Sequence, residues 1–185
     1  MTAAPVEKVP SREEVLRALL EAGAVRFGDF TLTSGEKSDV YIDVKRAWTS
    51  PARLDLLARA LAARVGDATD RLAGMELGAV PLVVAVALRT RQEYVVLRKA
   101  AREHGTRQPF EGEIPSGARV LLIEDVSTTG GSSLRSVEIV RAAGGRVDRA
   151  LVVVDREGGA RERLAAAGVR LEPILTLSEL RGAKK

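Results

Sequence analysis

Short runs of branched apolar residues alternate with helical periodicities along most of the chain. Strands are predicted at 71–75, 94–97, 120–123, 147–154 and 169–177. The run at 120–123 is continuously apolar, which suits a strand buried on both faces of a parallel sheet. Pro173 interrupts the last run, so that strand is expected at an edge of the sheet.

Helices are predicted between these strands. The first begins with a capping box formed by Ser11 and Glu14, and Gly23 is its expected C-cap. A second begins at Ser50, with Pro51 at the first helical position. Further helices are predicted at 82–88 and at 161–167, and another is predicted to begin after an N-cap at Ser132 or Ser133.

This alternation predicts an α/β fold with a mostly parallel, twisted sheet and helices on both faces. Residues 27–43 precede the core strands and alternate like a β-hairpin around a turn at Ser34 and Gly35. The length of 185 residues fits one domain over 1–185, in which 1–45 contribute the first helix and this hairpin. The connection before the strand at 120 is about twenty residues long, as active-site lids often are.

The composition argues against several classes of protein. No stretch approaches the ~20 apolar residues that span a bilayer, and residues 1–10 lack the apolar segment of a signal peptide, so no membrane association is expected. The chain has no cysteine, which excludes disulfides and is compatible with a cytoplasmic location. The net charge of +4 is spread along the chain and aromatic residues make up 3%, so no nucleic-acid partner is expected.

Candidate chemistry is concentrated in the sequence V-L-L-I-E-D-V-S-T-T-G-G-S-S at 120–133. Glu124 and Asp125 follow the buried strand, and a loop of small residues then leads into a helix. Glycines and a helix N-terminus present backbone N–H groups to an anion, so this loop can hold a phosphate without a lysine. Two carboxylates beside a phosphate are unfavourable unless they face hydroxyl groups or a metal ion. A ribose phosphate supplies hydroxyl groups for the acids and a phosphate for the loop.

This segment resembles the 5-phosphoribosyl 1-diphosphate (PRPP) signature of type I phosphoribosyltransferases. The resemblance implies that Glu124 and Asp125 hold the ribose hydroxyls and that 128–132 surround the 5′-phosphate. With the loop described next, the implied PRPP-binding residues are Arg98, Lys99, Arg102, His104, Glu124, Asp125, Val126, Ser127, Thr128, Thr129, Gly130, Gly131 and Ser132.

Further segments resemble orotate phosphoribosyltransferases in particular. Residues 27–43, which we call the hood, contain that family's F-x-L-x-S-G-x-x-S-x-x-Y pattern. Residues 98–107, the lid loop, begin R-K-A-A-R-E-H-G, with Arg102 where a lysine is usual; the charge is kept but the compact ammonium is not. Arg156 matches an arginine that pairs with the orotate carboxylate. The sequence at 74–81 is similar to the loop near the diphosphate, but Gly78 stands where some members have a lysine.

The resemblance implies an enzyme that joins orotate to PRPP, releasing diphosphate and forming orotidine 5′-monophosphate for pyrimidine synthesis. It implies Mg²⁺ as cofactor, held mainly by PRPP and water, with no direct protein ligand. The implied catalytic residues are Lys99, Arg102, His104 and Asp125, and the implied orotate-binding residues are Thr128 and Arg156. It also implies a homodimer in which the lid loop of each subunit acts at the partner's active site.

Two other functions remain open at this point. A phosphoribosyltransferase for another base would share the PRPP signature, although the hood and Arg156 argue against it. A regulator of the same fold could bind PRPP and contact nucleic acid. The lid residues Lys99, Arg102 and His104 argue against a regulator, which does not need catalytic cations.

Overall fold

The structure is a computed structural model that describes residues 8–31, 37–99 and 108–183. Its helices are α1 (Arg12–Glu21), α2 (Lys45–Trp48), α3 (Pro51–Ala62), α4 (Val80–Thr90), α5 (Gly131–Ala142), α6 (Ala160–Ala166) and α7 (Leu177–Gly182). Its strands are β1 (Val25–Thr31), β2 (Lys37–Ile42), β3 (Arg71–Met75), β4 (Tyr94–Leu97), β5 (Phe110–Glu111), β6 (Val120–Ser127), β7 (Arg149–Asp155) and β8 (Arg170–Thr176). None of the helices in these ranges has the length and apolar character needed to cross a bilayer.

The main sheet has the strand order β5-β4-β3-β6-β7-β8. Strands β3, β4, β6, β7 and β8 run parallel to their neighbours, and only the short β5 is antiparallel, against β4. The predicted α/β fold with a mostly parallel sheet is therefore confirmed. Pro173 lies in β8 at the edge of the sheet, as its missing N–H donor requires.

Both faces of the sheet are covered by helices, because the central strands are apolar on both sides. On β6, Leu121 and Ile123 pack into one core with α1, α3, α4 and α7, whereas Leu122 packs into a second core with α5 and α6. All three side chains are at most 3% exposed. Side chains alternate between the two faces of a strand, so a continuous apolar run fills both cores.

Several element boundaries differ from the sequence predictions. Helix α4 begins at Val80 rather than 82, with Pro81 in its first turn, where a missing N–H donor has no cost. Strand β7 begins at Arg149 rather than 147, although Val147 is buried in the core below it. Strand β5 lies within the long connection after β4, where the sequence predicted no strand. Gly23 follows the C-cap Ala22 with a left-handed φ of 62°, one position later than expected.

The hood hairpin predicted at 27–43 is present as β1 and β2, which form a separate antiparallel sheet. Its predicted turn at 34–35 lies outside the described residues. The hairpin ladder continues one step beyond the strands, where the Asp43 N–H donates to the carbonyl of Ala24, the residue before β1, at 2.7 Å. An ion pair between Arg181 of α7 and Asp39 of β2, at 2.6 Å, connects the hood to the end of the main sheet.

Candidate active site

The predicted site residues that the structure describes gather where the parallel strands of the main sheet end. Strand β4 follows β3 in the sequence and pairs with one edge of β3. Strand β6 pairs with the other edge of β3. This reversal of strand order opens a crevice beyond the carboxyl ends of β3 and β6. Open α/β sheets bind their ligands at such a point.

Glu124 and Asp125 lie within β6, which extends to Ser127 instead of ending at 123 as the sequence predicted. Glu124 pairs with Val152 of β7 and is only 8% exposed, while Asp125 is half-buried. Burial, followed by the charge of Asp125, raises the pKa of Glu124 to about 8. Glu124 is therefore mainly protonated at neutral pH when no substrate is bound, so the acid pair carries less negative charge than two free carboxylates.

Residues 128–130 form the loop between β6 and α5. Gly130 is the N-cap of α5 with a left-handed φ of 74°, and a Cβ there would lie 3.1 Å from Cα of Ala160. The N-cap predicted at Ser132 or Ser133 is wrong, because no side chain caps this helix and the chain enters it through glycine. The first N–H groups of α5 therefore lack a side-chain cap and can bind an anion.

The phosphate loop is fixed by contacts with the segment that follows β7. A Cβ on Gly158 would lie 2.8 Å from the carbonyl oxygen of Thr128, so the two backbones are in close contact. Nη1 of Arg163 donates to the carbonyl oxygen of Thr129 at 3.2 Å. These contacts hold the loop in shape before any ligand binds, which lowers the entropic cost of binding.

The loop after β3 lies directly against Asp125. An ideal Cβ on Gly78 would be 2.3 Å from Oδ2 of Asp125, which is too close for any side chain unless Asp125 moves. The structure therefore brings Gly78, in the loop that resembles the diphosphate loop, into contact with one of the predicted ribose-binding acids across the crevice.

The base of the lid loop is anchored beside the same crevice. The N–H of Lys99 donates to Oε1 of Glu76 at 2.9 Å, and the guanidinium of Arg98 pairs with Glu111 of β5 at 2.7 Å. Lys99 thus begins its side chain next to the loop that contains Gly78. Arg102 and His104 lie outside the described residues, so their roles stay predictions.

Arg156 connects the main sheet to the hood. The backbone N–H of Arg156 donates to the carbonyl of Ser127 at the end of β6. Nη2 of its guanidinium donates to Oγ of Ser38 in β2 at 3.3 Å. Thr128, its predicted partner in orotate binding, follows Ser127 directly. The two predicted orotate-binding residues are therefore neighbours, on the hood side of the phosphate loop.

Comparisons with known proteins agree with this geometry. Residues 47–173 match the family model described as "Phosphoribosyl transferase domain". An orotate phosphoribosyltransferase of Pyrococcus furiosus is 46% identical over 172 residues, which are 91% of this chain and 94% of that protein. The chain belongs to the orotate phosphoribosyltransferase family.

Solved structures of this family superpose on most of the chain. Orotate phosphoribosyltransferase from Aeropyrum pernix has a TM-score of 0.82 and 36% sequence identity, covering 91% of this chain and 96% of that one. The Mycobacterium tuberculosis enzyme, in a crystal structure described as a complex with PRPP, has a TM-score of 0.77 and 33% identity, covering 93% and 99%. The fold expected from the resemblance is thus shared with the orotate phosphoribosyltransferases.

Sequence reasoning missed several residues that shape the family's site in this chain. Glu76 was assigned no role, although its carboxylate fixes the start of the lid loop. Sequence reasoning also missed Ser38 as a contact of Arg156, and Arg163 as a contact of the phosphate loop. Ser38 belongs to the hood pattern and could have been found from it. Glu76 and Arg163 carry no local signal, because their partners are 23 and 34 residues away in the sequence.

Proposed function

We propose that the protein transfers the 5-phosphoribosyl group of PRPP to orotate, forming orotidine 5′-monophosphate and diphosphate in pyrimidine synthesis. The observation that carries this proposal is the position of Glu124 and Asp125 on β6, shortly before the N-terminus of α5, where Gly130 is the N-cap. In that order, the acids can bind the ribose hydroxyls and the helix N-terminus can bind the 5′-phosphate. The family membership supports orotate as the acceptor.

In this reaction, a nitrogen of orotate forms a bond to the anomeric carbon of the ribose while the bond to the diphosphate oxygen breaks. Positive charge develops on the sugar, as in glycoside cleavage, and negative charge develops on the diphosphate. Asp125 and Glu124 accept hydrogen bonds from the ribose hydroxyls and lie near the developing positive charge. The N-terminus of α5 holds the 5′-phosphate, which fixes the sugar during the substitution.

Base recognition is assigned to the hood side of the crevice. Arg156 pairs with the carboxylate of orotate, and Thr128 offers a hydroxyl to its polar ring edge. A charge-assisted pair of this kind selects a base that carries a carboxylate. A phosphoribosyltransferase for a neutral base would have no use for an arginine in this position.

We further propose that the enzyme uses Mg²⁺. Magnesium usually keeps several waters in a protein site and binds through substrate phosphates, so it does not require a cage of protein ligands. The described residues contain no group of three or more acidic, histidine or cysteine side chains that could bind a metal by themselves. The ion would thus be held mainly by oxygens of PRPP and by water, and when bound it would neutralise charge on the leaving diphosphate.

The lid residues Lys99, Arg102 and His104 are proposed to act on the diphosphate from the other subunit of a homodimer, with Arg98 at the base of the loop. The support is the family membership and the position of Lys99, whose backbone is fixed at the mouth of the crevice. Closure of such a loop excludes water and supplies cations when the substrate is bound. The proposed location of this dimer is the cytoplasm.

An ultraviolet assay of orotate consumption with PRPP and Mg²⁺ tests the function directly. We expect turnover with orotate and none with adenine, guanine or uracil. Turnover with one of those bases instead would favour the alternative phosphoribosyltransferase, and PRPP binding without turnover would favour the regulator.

Asp125→Asn provides the residue-level test of this assignment. A lost charge-assisted hydrogen bond costs about 1.5–3 kcal/mol, so kcat/KM for PRPP should fall tenfold or more. Unchanged kinetics with PRPP would remove Asp125 from the ribose site.

A further inference from the structure

Asp155 is a buried carboxylate to which the proposed mechanism gives no role. It is the last residue of β7, where it pairs with Ser127 of β6 and Thr176 of β8, and it is 1% exposed. A side chain buried to this extent does not reach a substrate in the crevice. Because a buried carboxylate is costly unless its oxygen atoms and its charge have partners, the contacts of Asp155 indicate what it does.

Each oxygen atom of the Asp155 carboxylate has a partner. Oδ1 accepts a hydrogen bond from the backbone N–H of Glu157 at 2.9 Å. Oδ2 lies 3.6 Å from the guanidinium of Arg161 in α6, which offsets the charge of the carboxylate. Aspartate commonly binds the N–H two positions ahead in this way and thereby closes a turn. We call residues 155–157 the arginine turn.

Arg156 is the central residue of the arginine turn. Its backbone N–H donates to the carbonyl of Ser127 at 2.8 Å, and the next N–H, that of Glu157, donates to Asp155. The peptide groups on both sides of the Arg156 Cα are therefore fixed, which restricts the direction in which its side chain leaves the backbone. In that direction its Nη2 reaches Oγ of Ser38 in the hood.

Glu157 joins the arginine turn to α7. Its backbone has a left-handed φ of 56°, a conformation that a residue with a side chain keeps only where contacts hold it. Its Oε2 accepts hydrogen bonds from the N–H and Oγ of Ser178 in α7, at 2.8 and 2.6 Å. In the same helix, Arg181 pairs with Asp39, the neighbour of Ser38 in β2. Helix α7 therefore contacts both the arginine turn and the hood strand that faces it.

We propose that Asp155 and Glu157 are positioning residues that direct Arg156 toward the carboxylate of orotate. This inference rests on the proposed function, which assigns that carboxylate to Arg156. Asp155 fixes the backbone of the arginine turn from the side of the sheet, and Glu157 holds its outer side against α7. The guanidinium of Arg156 is then oriented before orotate arrives, so less conformational freedom is lost on binding.

Steady-state kinetics on the full-length enzyme, with orotate and PRPP varied in turn, test the proposal. Asp155→Ala should raise the KM for orotate about fivefold or more and change that for PRPP less than twofold. Asp155→Asn keeps an oxygen that can accept the Glu157 N–H, so both constants should stay within about twofold of wild type. Equal effects of Asp155→Ala on the two substrates, or no effect on either, overturn the proposal.

Combining Asp155→Ala with Arg156→Ala separates positioning from a general structural role. If Asp155 acts through Arg156, the double variant should have the orotate KM of Arg156→Ala alone, because changes that remove the same contact are not additive. Two effects that multiply in the double variant would overturn the proposal.

Val153→Ala is the control for lost stability. Val153 is fully buried, lies two residues before Asp155 on β7, and does not belong to the arginine turn. Its truncation should lower the melting temperature while leaving the KM for orotate and for PRPP within twofold of wild type. An orotate KM raised in Val153→Ala as much as in Asp155→Ala would mean that a weakened strand explains both, and the proposal would be wrong.

Glu157→Ala keeps the proposal testable if Asp155→Ala does not fold. Alanine and glutamate both carry a Cβ at the left-handed φ, so this change removes the contact with Ser178 and leaves the backbone strain as it is. The KM for orotate should rise about threefold, and the rise should disappear when Arg156→Ala is also present. A wild-type KM for orotate in Glu157→Ala contradicts the proposal.

Failure of the proposed function has a different signature. Wild-type protein that does not consume orotate would contradict the enzymatic assignment, and the positioning role together with it. Orotate turnover by wild type, with a raised orotate KM in Arg156→Ala but not in Asp155→Ala or Glu157→Ala, would contradict the positioning role alone.

Discussion

At the scale of single residues, Glu124 couples the chemistry of the site to the stability of the protein. The residue is 8% exposed and the pKa of its carboxyl group is raised in the folded state, whereas in the unfolded chain that group titrates near 4.5. Between these two values the unfolded state is ionised and the folded state keeps the proton. Ionisation of Glu124 in the unfolded state therefore lowers the free energy of unfolding as the pH rises above about 4.5. The stability that Glu124 contributes below that pH is lost as the pH rises through 8.

Glu124→Gln should accordingly stabilise the substrate-free protein at alkaline pH. The amide resembles the protonated acid, so the melting temperature should match wild type near pH 4 and exceed it by several degrees at pH 8.5. The expected scale is about 2–4 °C for each kcal/mol in a chain of this size. Thermal denaturation across this pH range measures the effect. Glu138→Gln, the same change on an exposed position of α5, should show no such trend; a similar trend there would mean that net charge is responsible.

Arg156→Ala should separate the two substrates. If Arg156 pairs with the orotate carboxylate, the KM for orotate should rise tenfold or more, while that for PRPP changes less than twofold. Steady-state kinetics with each substrate varied in turn give the answer. Arg146→Ala removes an exposed arginine near the start of β7, at the opposite end of that strand, and should alter neither constant. An equal effect of Arg156→Ala on both substrates would mean that the arginine only joins the hood to β6.

At the scale of elements, the site depends on how closely the loop after β3 approaches β6 and how closely the loop after β6 approaches α6. The loop after β3 reaches Asp125 because position 78 has no side chain, and the loop after β6 reaches α6 because position 130 has none. Both contacts join elements that are distant in the sequence. The geometry of the acid pair is therefore determined by neighbouring backbone as much as by β6 itself.

Gly78→Ala tests this dependence. The new Cβ would displace the carboxyl group of Asp125, so kcat/KM for PRPP should fall tenfold or more while the melting temperature changes little. Gly182→Ala, where a Cβ meets nothing within 4 Å, is the control and should be neutral in both measurements. Wild-type kinetics for Gly78→Ala would show that Asp125 does not need its present position.

The elements themselves were largely predictable from the sequence, whereas the contacts between them were not. The strand at 120–123 follows from four branched or long apolar residues in a row, and the capping box of Ser11 and Glu14 is present as predicted. The start of α5 was misplaced because serine is the commoner N-cap, while here Gly130 adopts a left-handed conformation. Strand β5 consists of two residues and exists only through its pairing with β4.

At the scale of the whole molecule, the proposed homodimer divides each active site between two chains. The acid pair and the phosphate loop lie on the main sheet of one subunit, and the lid loop is proposed to come from the other. This arrangement predicts complementation between variants that are each nearly inactive alone. Lys99→Ala and Asp125→Asn, when mixed, should form heterodimers in which one site carries both changes and the other carries neither.

Activity of the mixture should therefore approach half of wild type per heterodimer, measured after subunit exchange has been confirmed with differently tagged chains. A mixture of Asp125→Asn with Asp125→Ala is the control and should remain inactive, because every site then lacks the acid. If exchange occurs and the first mixture also remains inactive, the lid acts within its own subunit and the proposal is wrong.

The separation of the hood from the main sheet has a consequence for how enzymes of this kind can diversify. Strands β1 and β2 hydrogen-bond only to each other within the described ladders, and Ser38 meets Arg156 from outside the sheet that carries the acid pair. Changes in the hairpin that reach Arg156 through Ser38 can thus alter which base is accepted without disturbing the strands that hold the sugar phosphate. Selection for a new acceptor could act on that short segment while the ancestral donor site is inherited unchanged.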